Sequence, residues 1–177
     1  MRTALIDAAL RVLHRDGPAA LTVRSITAEA GCSTTGVYTY FGGKVGLVEA
    51  IFVEGFESFD RALDPLLERG HIAGAGAAYR RWALDHPTQY MVMFGRAVPE
   101  FEPSAEARGR ALISFAKLAE AIARVRPGDD APERAYHLFA TVHGYVMLEL
   151  AGMSGEHAAD SERLYDLAVA TLVGSVA

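Results

Sequence analysis

Residues Thr22 to Phe41 constrain the fold more than any other stretch of this chain, because they predict two short helices joined by a sharp turn. Thr22 can cap the free N–H groups of a first helix, along which apolar residues recur at helical spacing. Gly31 would end that helix, since glycine tolerates the left-handed conformation that a sharp turn needs. Ser33 would cap the second helix. The pattern as a whole predicts a helix-turn-helix.

The second of these helices has an outer face that suits contact with DNA. Val37 and Phe41 lie four residues apart and would face the interior, which leaves hydroxylated residues and a glycine outside. Short side chains of this kind let a helix approach a base edge or a phosphate closely. Pairs of short amphipathic helices also occur in many all-helical proteins, so periodicity alone leaves a purely structural role open. The residues expected to face DNA are Thr22, Arg24, Ser33, Thr34, Thr35, Gly36, Tyr38, Thr39, Tyr40 and Lys44.

The order of residues in this region resembles the DNA-binding signature of the TetR family of transcriptional regulators. The residues that carry the resemblance are Gly31, Ser33, Gly36, Tyr38, Phe41, Lys44 and Leu47. Tyr40 stands where the family often has histidine, and its hydroxyl can still donate a hydrogen bond to a phosphate. The resemblance implies a double-stranded DNA operator as partner.

Charge is distributed unevenly along the chain. The net charge is −5, which argues against a protein that coats nucleic acid. Residues 1–50 nevertheless hold five basic and four acidic side chains, a net charge of +1. A DNA-binding segment with so little positive charge would have to use helix N-termini and hydroxyl groups, as well as cations, to bind phosphates.

Composition places the chain among globular proteins, since 51% of its residues are hydrophobic and 22% are charged. No apolar run reaches the ~18 residues needed to span a bilayer, and no signal peptide is visible. The single cysteine, Cys32, rules out an internal disulfide. We therefore expect a cytoplasmic protein that does not bind a membrane.

The remaining periodicity predicts an all-α fold with about nine helices. A helix near the N-terminus would complete a three-helix DNA-binding head over residues 1–46, and residues 47–177 would form a helical effector-binding and dimerisation domain. The long helix expected over residues 44–67 could transmit a displacement between the head and the second domain, or it could be a plain connection. His86-Pro87 would end a helix, and Thr88 would cap the next. The helices are expected over 3–15, 22–30, 33–41, 44–67, from about 77 to 85, 88–94, 104–125, 133–151 and 160–176.

The second part of the chain resembles the C-terminal domain of the Trp-His-Gly subgroup of the TetR family. Tyr79 to Phe94 carries one part of the resemblance, and Thr141 to Gly144 carries the other. Phe139 replaces the tryptophan expected four residues before His143. The resemblance implies a domain that binds an effector and forms a dimer, without implying which effector.

Aromatic residues and methionines are frequent in this second part, and two interpretations remain open. They can form an ordinary core, with His143 satisfied by one hydrogen bond, or line an adaptable apolar pocket with His143 as its polar anchor. The resemblance favours a pocket, and the side chains assigned to it would suit a small, largely apolar or aromatic effector with one or two polar groups. Its expected lining is Phe56, Trp82, Tyr90, Phe94, Phe115, Phe139 and His143.

The last two helices carry apolar residues on more than one face, which one protomer cannot easily bury alone. We expect them to form the interface of a two-fold homodimer. The residues assigned to that interface are Leu138, Tyr145, Leu148, Leu164, Leu167 and Leu172.

Motifs for catalysis or for a bound cofactor are not found. No two of the six histidines have the i, i+4 spacing of a helical zinc site, and no G-x-S-x-G segment, P-loop or dinucleotide fingerprint occurs. We therefore expect no enzyme activity, catalytic residue, metal or cofactor.

The sequence favours a ligand-responsive regulator, acting as a repressor that its effector releases from a palindromic operator. The alternatives are an orphan DNA-binding dimer without an effector and, more distantly, a helical enzyme or carrier that kept the head.

Overall fold

The computed structural model describes residues 1–174, and this part of the chain is helical. Within it there is no β-strand, which confirms the predicted all-α fold. Two 3-10 turns, Pro18–Ala20 and Gly155–Asp160, lie between helices. The nine α-helices of these residues are α1 (Arg2–Asp16), α2 (Val23–Ala30), α3 (Thr35–Phe41), α4 (Lys44–Leu67), α5 (Ile72–Asp85), α6 (Pro87–Phe94), α7 (Ala105–Val125), α8 (Ala131–Leu150) and α9 (Ser161–Gly174). The predicted end of the last helix, at 176, lies outside the described residues.

The caps of α2 agree with the sequence prediction, but that of α3 does not. Thr22 Oγ1 accepts a hydrogen bond from the backbone N–H of Ser25 at 3.1 Å, and Ser25 Oγ accepts one from the N–H of Thr22 at 3.0 Å. Gly31 follows α2 in the left-handed conformation, with φ 66°. Ser33 was wrongly predicted to cap α3, because that helix begins one residue later, with Thr34 at its N-cap and no capping side-chain hydrogen bond.

α5 and α6 both begin earlier in the chain than predicted. α5 begins at Ile72, so Gly74 and Gly76 lie inside the helix instead of in a turn. A Cβ on Gly76 would lie 3.0 Å from Val169 Cγ1, so the glycine serves the close packing of α5 on α9. α6 begins at Pro87, whose fixed φ suits the first helical position. Thr88 therefore lies within the first turn and does not cap it.

The chain forms two compact units. The first unit comprises Met1–Glu57 and Thr88–Arg110, and the second comprises Ser58–Pro87 and the residues from Ala111 onward. The first unit therefore includes α6 as well as the predicted head. α4 and α7 each contribute residues to both units. The functional division into residues 1–46 and 47–177 stays a prediction.

Apolar residues of α1 to α4 form the core of the first unit. The side chains of Leu5, Val12, Ile26, Val37 and Leu47 have essentially no exposed surface. Leu5 and Val12 lie seven residues, or about two turns, apart on α1, so this helix turns one face inward. This packing holds α3 with its opposite face outward.

The second unit is held by packing of α5, α8 and α9. The buried Tyr165 hydroxyl donates to the carbonyl of Gly76 at 2.6 Å, and Arg80 makes two hydrogen bonds to Glu149, at 3.0 and 2.7 Å. Apolar periodicity along α7 predicts that Leu112 faces inward together with Phe115, Leu118 and Ile122. For Leu112 this prediction is wrong, since its side chain is 68% exposed. None of the helices described is long and apolar enough to cross a membrane.

Candidate DNA-binding and effector sites

The outward face of α3 carries most of the side chains predicted to contact DNA. Thr34, Thr35, Tyr38, Thr39 and Tyr40 are all exposed. They combine hydroxyl groups with two aromatic rings on one short helix, and hydroxyls of this kind bind both phosphates and base edges.

Gly36 is the exception on this helix. A Cβ on Gly36 would lie 3.4 Å from Leu5 Cδ1, so this glycine faces α1 and allows α3 to pack closely on it. Of the remaining residues assigned to DNA contact, Thr22, Arg24 and Ser33 are exposed and Lys44 is half-buried.

The junction of α3 and α4 is built from glycines. Gly42 and Gly43 have φ values of 71° and 138°, which favour glycine. Gly46 lies in the first turn of α4, and a Cβ there would overlap the carbonyl oxygen of Phe41. The start of α4 therefore packs directly on the end of α3, and Lys44 follows the last residue of α3 by three positions.

Most cations of the head are already paired with carboxylates. Arg11 and Arg15 both bind Glu29, at 2.8 and 3.0 Å, and their hydrogen bonds hold the pKa of the Glu29 carboxyl below its ordinary value. Arg2 binds Glu54. Among the basic side chains of residues 1–50, all of which the structure describes, Arg24 is the one without a carboxylate within 4.0 Å.

Lys44 is also paired. Its Nζ lies 2.6 Å from Glu100 Oε1. Glu100 was not singled out from the sequence, because an exposed glutamate in a loop gives no signal of its partner.

An aromatic cluster occupies the second unit and contains four of the predicted pocket residues. Phe59 lies edge-on to Tyr79 and Trp82, with ring centroids 5.2 and 5.4 Å away. Phe139 lies 6.5 Å from Tyr79 and 6.3 Å from Phe115. The cluster, completed by His143, consists of Phe59, Tyr79, Trp82, Phe115, Phe139 and His143.

The other three predicted pocket residues belong to the first unit. Phe94 lies 5.3 Å from Phe56 and 4.9 Å from Tyr90, measured between ring centroids. Four of the seven predicted pocket residues therefore belong to the second unit and three to the first.

His143 supplies polar atoms to the aromatic cluster. Its ring stacks on Phe139, with centroids 5.6 Å apart and planes 20° apart, and its Nδ1 lies 3.5 Å from the Tyr79 hydroxyl. Burial lowers the pKa of His143, so its imidazole is neutral at pH 7 and offers one donor and one acceptor. The geometry suits both interpretations of this residue, as a core histidine and as a polar anchor.

Residues assigned to the dimer interface differ in exposure. Leu148 on α8 and Leu167 on α9 are 51% and 58% exposed, and Tyr145, Leu164 and Leu172 are half-buried. Leu138 is buried within the protomer and offers little surface to a partner. The two exposed leucines therefore have the most apolar surface for a partner to cover.

Asp60 is a buried polar residue that the sequence reasoning missed. It is 4% exposed, and its carboxylate accepts from Ser114 Oγ at 2.6 Å and from Lys117 Nζ at 3.0 Å. Burial alone would lower the pKa of Lys117, but its hydrogen bonds to Asp64 and Asp60 raise it. A signal was present, since Asp60 follows Phe56 by four residues on the apolar face of α4.

Metal-binding geometry is not found in residues 1–174, where no three His, Cys, Asp or Glu side chains are grouped to hold an ion.

The fold and the exposed face of α3 define a helical DNA-binding protein. A model described as bacterial regulatory proteins of the tetR family matches residues 5–51, and one described as the tetracyclin repressor-like C-terminal domain matches residues 72–172. The chain therefore belongs to the TetR family and is a DNA-binding transcriptional regulator.

Individual relatives agree with this assignment. The uncharacterised HTH-type transcriptional regulator Rv0681 of Mycobacterium tuberculosis is 25% identical over 167 residues, covering 86% of this chain and 71% of that protein. The nicotine-responsive transcriptional repressor HdnoR of Paenarthrobacter nicotinovorans is 34% identical over 67 residues, or 38% of this chain and 34% of that protein. The crystal structure of SCO4313, to which a regulatory role is ascribed, has a TM-score of 0.86 and 26% identity, covering 98% of this chain and 95% of that one.

These matches are to transcriptional regulators, which confirms the prediction that the chain is not an enzyme. The description of the matching C-terminal model does not name the Trp-His-Gly subgroup, so that subgroup stays a prediction.

Proposed function

We propose that this protein is a ligand-responsive repressor that binds a palindromic operator as a homodimer and is released by a small, largely apolar effector. The observation that carries the DNA-binding part is the exposed, hydroxyl-rich face of α3, with Lys44 three residues after the end of that helix. The aromatic cluster around His143 supports the effector, because apolar pockets with a few polar groups are typical ligand sites. HdnoR, a repressor that responds to nicotine, supports the combination of the two.

Selection from random-sequence DNA is expected to enrich a palindrome, since a two-fold dimer presents two α3 helices to one face of the duplex. The half-sites should lie about one helical turn, or a multiple of it, apart. Alanine at Thr34, Thr35 or Thr39 should relax sequence preference, whereas Lys44→Ala should weaken all sequences alike and reduce the salt slope by about one. Tyr38 is assigned to a phosphate as well.

The control for Lys44→Ala is Arg81→Ala, which removes one positive charge from an exposed position of α5. Its salt slope should equal that of the wild type. Enrichment of no palindrome in the selection would contradict the proposed operator.

Effector binding is expected to act by population shift, since a ligand releases DNA only if it binds the non-DNA conformation more tightly. A hundredfold loss of operator affinity needs about 2.7 kcal/mol of coupling, which lies in the usual allosteric range. α4 is the element we propose to transmit the change, because it contributes residues to both units.

Phe139→Ala is expected to alter the response to an effector while operator binding without effector survives, because Phe139 contacts three members of the aromatic cluster. Apolar and aromatic metabolites would be screened by thermal shift and by release of the operator. Tyr136→Ala is the matched control, since this ring lies on the same helix but is exposed. A protein that binds its operator and responds to no such compound would instead support the orphan dimer.

A further inference from the structure

The loop between α6 and α7, residues 95–104, has a defined position on α4 within the first unit. The ring of Phe101 is buried, and its centroid lies 6.0 Å from that of Phe52. Both the backbone N–H and the hydroxyl of Ser104 donate to the carboxylate of Glu49, at 3.2 and 2.9 Å. The loop is therefore held against α4 by an apolar contact and by a polar one.

This position brings Glu100 to the first residue of α4. Lys44 Nζ donates to Glu100 Oε1 at 2.6 Å, and the two side chains are 28% and 59% exposed, so the pair lies at the surface. The hydrogen bond from Lys44 lowers the pKa of Glu100, which therefore stays charged at neutral pH. An acidic residue 56 positions away in sequence thus neutralises Lys44.

We propose that Glu100 competes with the DNA backbone for Lys44 and thereby sets the affinity of the protein for DNA. The proposal rests on the phosphate contact assigned to Lys44 above. An ammonium group has three donors, but a carboxylate at its head repels an incoming phosphate, because two like charges would lie a few ångströms apart. Binding to DNA then requires Lys44 to exchange the Glu100 carboxylate for a phosphate. Part of the Coulomb attraction between Lys44 and DNA is lost in this exchange.

Glu100→Gln tests this exchange, because it keeps the shape of the side chain and removes its charge. Affinity would be measured by fluorescence anisotropy with a labelled random-sequence duplex over a range of salt concentrations, since a phosphate contact does not depend on sequence. Exposed ion pairs contribute little, so we expect Glu100→Gln to bind about two- to fivefold more tightly than the wild type at low salt. In the Lys44→Ala background the same substitution should change nothing.

Glu102→Gln is the matched control, because it removes the same charge from an exposed position of the same loop, two residues from Glu100. Its affinity should stay close to that of the wild type. Thermal unfolding would verify that all variants fold alike.

Three results would give Glu100 a role other than competition: an equal gain in Glu102→Gln, a gain that persists in the Lys44→Ala background, or a loss of affinity in Glu100→Gln. The first two would assign the gain to net charge, and the third would make Glu100 a residue that orients Lys44. If Lys44→Ala itself changes neither affinity nor salt slope, the phosphate contact fails and the competition fails with it. An effect of Lys44→Ala without the expected gain in Glu100→Gln would overturn the competition alone.

Discussion

Gly46→Ala is expected to abolish operator binding and to destabilise the first unit. The added Cβ would overlap the carbonyl oxygen of Phe41, a backbone atom that cannot rotate away as a side chain could. α4 and α3 would have to move apart, at a cost of about 1–3 kcal/mol, as in other overpacked cores. Because the displacement would move α3, it would disturb the proposed DNA-binding surface as well as stability.

Gly109→Ala provides the matched control for this substitution. Gly109 lies in α7, in the same unit, and a Cβ there would meet no atom within 4 Å. Alanine at an open helical position is expected to stabilise the protein by about 0.5–1 kcal/mol. Denaturant unfolding and operator affinity would be measured for both variants. Wild-type operator affinity in Gly46→Ala would show that the close approach of α3 and α4 is not needed for binding.

Leu148→Arg is expected to dissociate the proposed dimer completely. Leu148 is 51% exposed on α8, and Leu167 is 58% exposed on α9, so a partner that covers these helices would bury both. An arginine at position 148 would then have to leave water without a counterion, which costs several kcal/mol. Operator affinity should fall about 100-fold or more, because two linked heads bind far more tightly than one.

Leu112→Arg is the control, since it introduces the same charge at a leucine of α7 that is 68% exposed and outside the proposed interface. This variant should remain dimeric. Light scattering of the wild type and both variants at micromolar concentration would test the proposal. A monomeric wild type, or equal dissociation in both variants, would contradict the assignment of the interface to α8 and α9.

Local signals were sufficient for the helix-turn-helix. The capping hydroxyl of Thr22, the left-handed Gly31 and the buried Val37 all lie within twenty consecutive residues. Each acts through the backbone or through the face of its own helix, so neighbours in sequence carry the information. The error at Ser33 was one residue at a helix end, where several hydroxylated residues compete for the same role.

Contacts between distant residues could not be predicted from the same patterns. Periodicity placed Phe139 and His143 on one face of their helix. It did not predict that the assigned pocket residues belong to two different units. It also placed Leu112 on the inner side of α7, although that residue is 68% exposed. A helix can present several apolar faces, and only its neighbours decide which of them is covered.

By itself, the sequence determined the helical fold, the helix-turn-helix and, through its signature residues, the family of this protein. These properties depend on spacing along single helices and on turns a few residues long. Only the tertiary structure decided which charges meet: Lys44 with Glu100, and Lys117 with Asp60. Side chains more than fifty positions apart pair when packing brings their helices and loops together, because Coulomb attraction depends on distance in space and not on distance along the chain.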